Sequence, residues 1–200
     1  HLKTKQVEFY LKDGVSSFER RGERIMIHLQ SGRIIPTDLV ILSIGIRPEN
    51  RLAKEAGLEL GPRGGIKVNS FLQTSDPSIY AVGDAIEYPD PLTGESSLTY
   101  LAGPANKQGR LAADNIVLGN NREYHGSIHT AIAKVFDLTV ASCGLSEKLL
   151  QKSSIPYQAS IIHASSHAGY YPNATPLSLK ILFDPQTGRL LGAQMIGRFA

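Results

Sequence analysis

The stretch Ile79-Tyr80-Ala81-Val82-Gly83-Asp84 is an apolar run that stops abruptly on a glycine and a carboxylate. The polar turn Thr74-Ser75-Asp76-Pro77-Ser78 feeds it, so the pattern predicts a short buried strand ending at Gly83. In an open α/β sheet, ligands gather at the C-terminal ends of strands. A glycine there permits close backbone approach, and an aspartate can accept hydrogen bonds from a polyol. A Gly-Asp pair after a strand is also an ordinary turn, and its surroundings must decide between the two readings.

Upstream, residues 15–19 and 24–29 predict a hairpin around the polar residues 20–23, with Ser31-Gly32 as a further turn. Residues 38–44 (DLVILSI) form a continuous branched apolar run, which reads as a strand buried on both faces. Gly45-Ile46-Arg47-Pro48 breaks it. Residues 50–56 then predict a short helix stopped by Gly57, and Pro62-Arg63-Gly64-Gly65 a turn into a strand over residues 66–69.

Downstream, residues 90–97 (DPLTGESS) read as a loop. A helix is predicted from Gly103-Pro104 to Leu118, before Gly119, with Ala105, Gly109, Ala112 and Ile116 on one small-residue face. Residues 130–136 and 139–143 then read as strands around Asp137-Leu138. Residues 146–152 read as a short helix capped by Ser146, and residues 157–163, 177–183 and 190–196 as strands. The last two flank the hairpin signal Asp184-Pro185-Gln186-Thr187-Gly188. The expected fold class is α/β followed by α+β with a mainly antiparallel sheet. The chain closes on Met195-Ile196-Gly197-Arg198-Phe199-Ala200 directly after a strand, so a piece of a longer protein is expected.

Composition excludes several classes. With 42% hydrophobic and 20% charged residues, the chain reads as globular, not disordered. No apolar run approaches the roughly 18 residues that span a bilayer. His1-Leu2-Lys3-Thr4-Lys5-Gln6 lacks a signal-peptide core, so no membrane role and no secretion are indicated. The basic run Arg20-Arg21-Gly22-Glu23-Arg24 is broken by an acid and lacks stacking aromatics. It fits a solvated hairpin tip better than a nucleic-acid surface. The lone Cys143 excludes an internal disulfide and reads as a small buried hydrophobe. His125, His129, His163 and His167 have no metal-ligand spacing, so no metal is expected.

The frame Thr74-x5-Tyr80-Ala81-x-Gly83-Asp84 closely resembles the second flavin motif of the FAD-dependent pyridine nucleotide–disulfide oxidoreductases. In that family the aspartate holds the ribitol of FAD, and Asp84 takes that position, beside Gly83. Val40-Ile41-Leu42-Ser43-Ile44-Gly45-Ile46-Arg47-Pro48 resembles the family's exit from its NAD(P)H-binding domain, where the glycine, here Gly45, lies near the nicotinamide. The helix from Gly103 resembles the one that points at the flavin ring. The resemblance implies backbone contacts around Leu101, Ala102 and Ala105, and a helix N-terminus suits developing negative charge. Gln108-Gly109-Arg110 fit the same helix, with packing as the alternative role.

Within the family, Ala133-Lys134-Val135-Phe136-Asp137, Ala141-Ser142-Cys143-Gly144-Leu145 and His167-Ala168-Gly169-Tyr170-Tyr171-Pro172 resemble the dimerisation domain of coenzyme A-disulfide reductases, persulfide reductases and NADH oxidases. There a tyrosine reaches across the homodimer to the partner's redox cysteine and coenzyme A. Tyr170 is the better match and Tyr171 its neighbour, while a turn with packed rings is the alternative. A phenol can donate a hydrogen bond to a thiolate or leaving sulfur. Where the family has glycine after this proline, Asn173 stands here; asparagine tolerates the left-handed conformation.

No Gly-x-Gly-x-x-Gly occurs, and Cys143 lies in the wrong region for the redox cysteine. The resemblance therefore implies a partial two-dinucleotide-binding-domain flavoprotein fold followed by an antiparallel-sheet dimerisation domain. Residues 1–45 would end the NAD(P)H domain, 46–121 would be the returning part of the FAD domain, and 122–200 the dimerisation domain. The implied cofactors are FAD and NAD(P)H, and the implied substrate is a coenzyme A disulfide or persulfide. NADH oxidase or peroxidase activity, or a non-catalytic dimerisation and binding module, are the alternatives. A cytoplasmic location is expected.

Overall fold

Turn glycines and branched residues organise the N-terminal part of the computed structural model, which describes residues 1–198. The chain divides into two units, the first His1–Ile46 and the second beginning at Arg47. In the first, β1 (Val15–Arg21) and β2 (Arg24–Leu29) pair antiparallel, with Phe18 opposite Ile27. The expected hairpin is there, with its second strand as expected and its first running two residues further. The turn narrows to Gly22-Glu23, with Gly22 at φ +63°. β3 (Ile34–Thr37) pairs with the other edge of β2 after the turn at Gly32.

Residues 38–44 depart from expectation. They form no strand, and Leu39, Ile41 and Ile44 are 73%, 81% and 89% exposed. A strand with two apolar faces is stable only between neighbouring strands and beneath covering layers. Among the described residues no strand pairs with this run, so its sequence preference goes unused.

The second unit starts with α1 (Arg51–Glu55), which ends before Gly57 at φ +75°. β4 (Ile66–Lys67), shorter than expected, pairs parallel with β5 (Ile86–Pro89), and β6 (Ser96–Ser97) pairs antiparallel with β5. The buried strand expected over residues 79–83 is also absent. Tyr80 makes a single bridge to Gln73, and Ile79 and Val82 are each 38% exposed. The segment is held by Ala81 N–H donating to the Leu72 carbonyl and by packing of Tyr80 and Ala81 on the adjacent core.

The long helix α2 (Ala102–Leu118) runs as expected to Gly119, but a different face is buried. Gln108, Ala112 and Asn115 point inward, whereas Gly109 and Ile116 are exposed. Ala112 joins Val68, Leu72, Ile86, Tyr88 and Tyr124 in one apolar cluster.

The remainder is a five-stranded antiparallel sheet in the order β7-β8-β11-β10-β9. Its strands are β7 (Ala131–Val135), β8 (Leu138–Gly144), β9 (Gln158–Ser165), β10 (Pro176–Phe183) and β11 (Leu190–Gly197). α3 (Glu147–Lys152) is capped as expected, the Ser146 hydroxyl accepting from Leu149 N–H. Leu145, Leu150, Leu182 and Leu191 form the core of this part. Cys143 is half-buried on β8 and accepts a hydrogen bond from the Thr130 hydroxyl at 3.3 Å. Of the expected last domain, Phe199 and Ala200 lie outside the described residues.

Where β11 crosses Leu145, the two backbones touch. Leu145 N–H donates to the Leu191 carbonyl at 2.9 Å, and a Cβ on Gly192 would collide with the Leu145 carbonyl. Gly192→Ala is expected to lower the unfolding free energy by about 1–3 kcal/mol, the usual cost of overpacking. Urea denaturation followed by circular dichroism checks this, and an unchanged midpoint would contradict it.

Candidate functional site

Gly83 takes φ +80°, and with Asp84 and Ala85 it forms a single 3₁₀ turn instead of continuing a strand. This positive φ is cheap only for glycine. It leaves the Asp84 side chain exposed, with no hydrogen bond or ion pair among the described residues. The turn lies against the first turn of α2: a Cβ built on Gly83 would sit 3.8 Å from the Ala105 Cβ.

The helix start beside it is also open. Leu101, the N-cap residue, has no side chain that could accept a hydrogen bond, and the first turn holds no acid. Pro104 has no N–H, and the first internal bond runs from Ala105 N–H to the Leu101 carbonyl at 3.2 Å. The N–H groups of Ala102 and Gly103 therefore have no acceptor among the described residues, and both residues are exposed. Such groups carry the positive end of the helix dipole and favour an anion or a strong acceptor. Gly83, Asp84, Leu101, Ala102 and Ala105, singled out in the sequence, thus come together at one place.

The sequence marked Gln108 only as fitting the family's helix, with packing as its alternative role, and the hydrogen bonds behind the turn were not foreseen. The Gln108 carbonyl oxygen accepts from Gly83 N–H at 2.6 Å, and its amide donates to the Tyr124 hydroxyl at 2.9 Å. Tyr124 in turn faces the Tyr88 hydroxyl at 3.5 Å, with the two rings edge-on. Two helical turns on, Asn115 donates to the carbonyls of Phe71 and Arg122 and accepts from Arg122 N–H. Besides the family pattern at Gln108, the seven-residue interval from Gln108 to Asn115, which puts both amides on one helix face, is the signal for this in the sequence.

The other singled-out residues lie elsewhere. Gly45 belongs to the first unit, at φ +110° with open space around it. Tyr170 and Tyr171 project from a loop between β9 and β10, 86% and 61% exposed, with ring centroids 5.2 Å apart. The loop is closed by Ser166 N–H donating to the Thr175 carbonyl and Tyr171 N–H to the Ala168 carbonyl. His167 Nε2 also meets the Pro172 carbonyl at 3.2 Å. Asn173 takes φ +65°, the left-handed conformation anticipated for it. Neither phenol has a partner among the described residues, and no contact links them to Asp84. His129 pairs with Asp90 Oδ2 at 3.3 Å and Ser97 Oγ at 3.2 Å.

Residues 1–113 match the family described as pyridine nucleotide-disulphide oxidoreductase, and residues 130–200 match its dimerisation domain. The chain belongs to this family. Its members use FAD and NAD(P)H. The chain is 36% identical over 94% of its length to the NAD(P)H sulfur oxidoreductase (CoA-dependent) of Pyrococcus furiosus, of which it covers 42%. It is 30% identical over 86% of its length to the coenzyme A disulfide reductase of Staphylococcus haemolyticus, covering 39% of that protein. The crystal structure of reduced Bacillus anthracis CoADR-RHD superimposes with a TM-score of 0.94 at 51% identity. That match covers 99% of this chain and 35% of the other. The chain thus spans about two fifths of the length of the curated relatives it matches. These matches carry the expected fold: a partial two-dinucleotide-domain flavoprotein followed by an antiparallel dimerisation sheet. No helix among the described residues is long and apolar enough to cross a membrane.

Burial, reinforced by the neighbouring Tyr88 hydroxyl, raises the Tyr124 phenol above its ordinary value. In the unfolded chain it ionises near pH 10, while in the folded protein it keeps its proton to higher pH. Its contribution is therefore present below about pH 10 and is lost as pH rises from there toward the folded value. The urea midpoint is expected to fall across this alkaline range, and less steeply in Tyr124→Phe. Equal slopes in the two proteins would refute the assignment.

Proposed function

We propose that this chain is the NAD(P)H-domain exit, returning FAD-domain segment and dimerisation domain of an FAD-dependent oxidoreductase. That enzyme moves electrons from NAD(P)H through flavin and a cysteine to coenzyme A disulfide or a persulfide. The domain limits are residues 1–45, 46–121 and 122–200. The observation that carries the reading is the pairing of a free Asp84 carboxylate with the uncapped start of α2. A polyol needs an acceptor and an electron-rich ring edge needs donors, and this surface offers both side by side. FAD has both parts, so the residues fit it.

In this reading Asp84 accepts from ribitol hydroxyls, and Gly83 keeps the approach clear because it carries no Cβ. The Ala102 and Gly103 N–H groups, with Leu101 and Ala105 framing them, face the ring edge and favour negative charge there. When bound, FAD supplies the two-electron chemistry between NAD(P)H and the sulfur substrate. Gly45 would lie near the nicotinamide end of NAD(P)H. In the homodimer, Tyr170, with Tyr171 beside it, donates a hydrogen bond to the thiolate or leaving sulfur at the partner's active site. The exposure of both phenols and the tight closure of their loop support this placement. The coenzyme A-dependent and coenzyme A disulfide activities named for the two curated relatives support the substrate class.

In the full-length protein carrying this sequence, Asp84→Ala is expected to lose most of its flavin on purification. A normal flavin-to-protein absorbance ratio would overturn the assignment of Asp84. Tyr170→Phe is expected to slow coenzyme A disulfide turnover about ten- to a hundred-fold, the scale of a lost catalytic hydrogen bond. Stopped-flow reduction of the flavin by NAD(P)H should be unchanged; if both rates match the parent, Tyr170 is structural.

A further inference from the structure

Gln108 has only one arrangement open to its side-chain amide. A backbone N–H can only donate, so Gly83 fixes the carbonyl oxygen of Gln108 at its end, 2.6 Å away. The NH₂ group is left to donate to the Tyr124 hydroxyl at 2.9 Å. Having accepted there, Tyr124 turns its own proton toward the Tyr88 oxygen. A flip of the amide would set an NH₂ against the Gly83 N–H. Gln108 is 1% exposed, so solvent cannot satisfy either group in its place. The order of donors and acceptors is thus imposed from the backbone inward.

The segment needs this hold. Residues 79–83 are not part of a strand, and Gly83 sits at φ +80° with no ladder bond to fix it. Within the turn Ile86 N–H donates to the Gly83 carbonyl; the bond from Gly83 N–H leaves the turn and runs to α2, whose open start lies beside the turn. We infer that Gln108 is a positioning residue: locked by Tyr124, it sets the height of the Gly83-Asp84 turn over the start of α2. Through that turn it governs how tightly FAD is held. This inference rests on reading the turn as the FAD site.

The test uses the full-length protein carrying this sequence, stripped of flavin and titrated with FAD. Quenching of flavin fluorescence gives the dissociation constant, and visible circular dichroism of the bound flavin reports its surroundings. Gln108→Leu keeps the bulk but removes both polar partners. It is expected to weaken FAD binding about ten-fold or more, the scale of one unsatisfied buried group, and to alter the visible dichroism. Gln108→Glu keeps an acceptor for Gly83 N–H and a carboxyl oxygen that can pair with the Tyr124 hydroxyl. It is expected to bind within about three-fold of the parent, whereas Tyr124→Phe should weaken binding by an intermediate factor.

If Asp84→Ala loses affinity while Gln108→Leu binds normally, the inference falls and the FAD reading stands. If Asp84→Ala also binds normally, the FAD reading itself falls and takes the inference with it. Loss of thermal stability without a change in FAD affinity or dichroism would reduce Gln108 to packing and overturn the inference. Should Gln108→Leu fail to fold, the other two variants decide. A parent-like Gln108→Glu with a weakened Tyr124→Phe upholds the inference, and any other pairing overturns it.

Discussion

Two buried amides on one face of α2 hold the second unit together near the candidate site. Asn115 ties the helix to the backbone at Phe71 and Arg122, and Gln108 ties it to Gly83 and the Tyr124 hydroxyl. Between them Ala112 enters the apolar cluster, small enough to let the helix come close. An unsatisfied amide would be costly in this interior, but each one here finds donors and acceptors, so the network specifies a single arrangement. Three segments with little regular structure of their own take their positions from these bonds.

That constraint leaves two groups free. With the turn anchored through the N–H of Gly83, the Asp84 carboxylate has no hydrogen bond or ion pair among the described residues. With leucine as N-cap residue and proline in the first turn, the start of α2 has no internal cap. Most helices satisfy these donors from their own sequence. A helix that does not, next to a carboxylate without a partner, presents donors and acceptors outward together. The dimerisation sheet is organised by a different principle. Its strands pair with their neighbours throughout, its leucine core closes one face, and its β9–β10 loop carries two phenols into solvent.

Local signals were readable from the chain wherever the determinants were local. The hairpin around Gly22, the cap at Ser146, the run of α2 to Gly119, the 184–188 turn and the left-handed Asn173 all depend on a few adjacent residues. The Gly83-Asp84 motif was legible through its resemblance to the family's flavin motif. Residues 38–44 and 79–83 were misread as strands because the apolar pattern encodes a demand for neighbours without saying whether they are present. The face of α2 was misread because small residues suggest close packing, whereas the actual inward groups are amides whose partners lie many residues away.

The sequence by itself determined the turns and the helix limits, since these follow from conformational preference and short-range spacing, while its resemblance to the family singled out the residues gathered around Asp84. Only the tertiary structure decided that Asp84 and the α2 start have no partner among the described residues, that Gln108 and Tyr124 lie behind them, and that Tyr170 and Tyr171 are exposed. Those outcomes depend on which distant groups satisfy one another's hydrogen bonds, and pairing of that kind has no signature in a linear pattern.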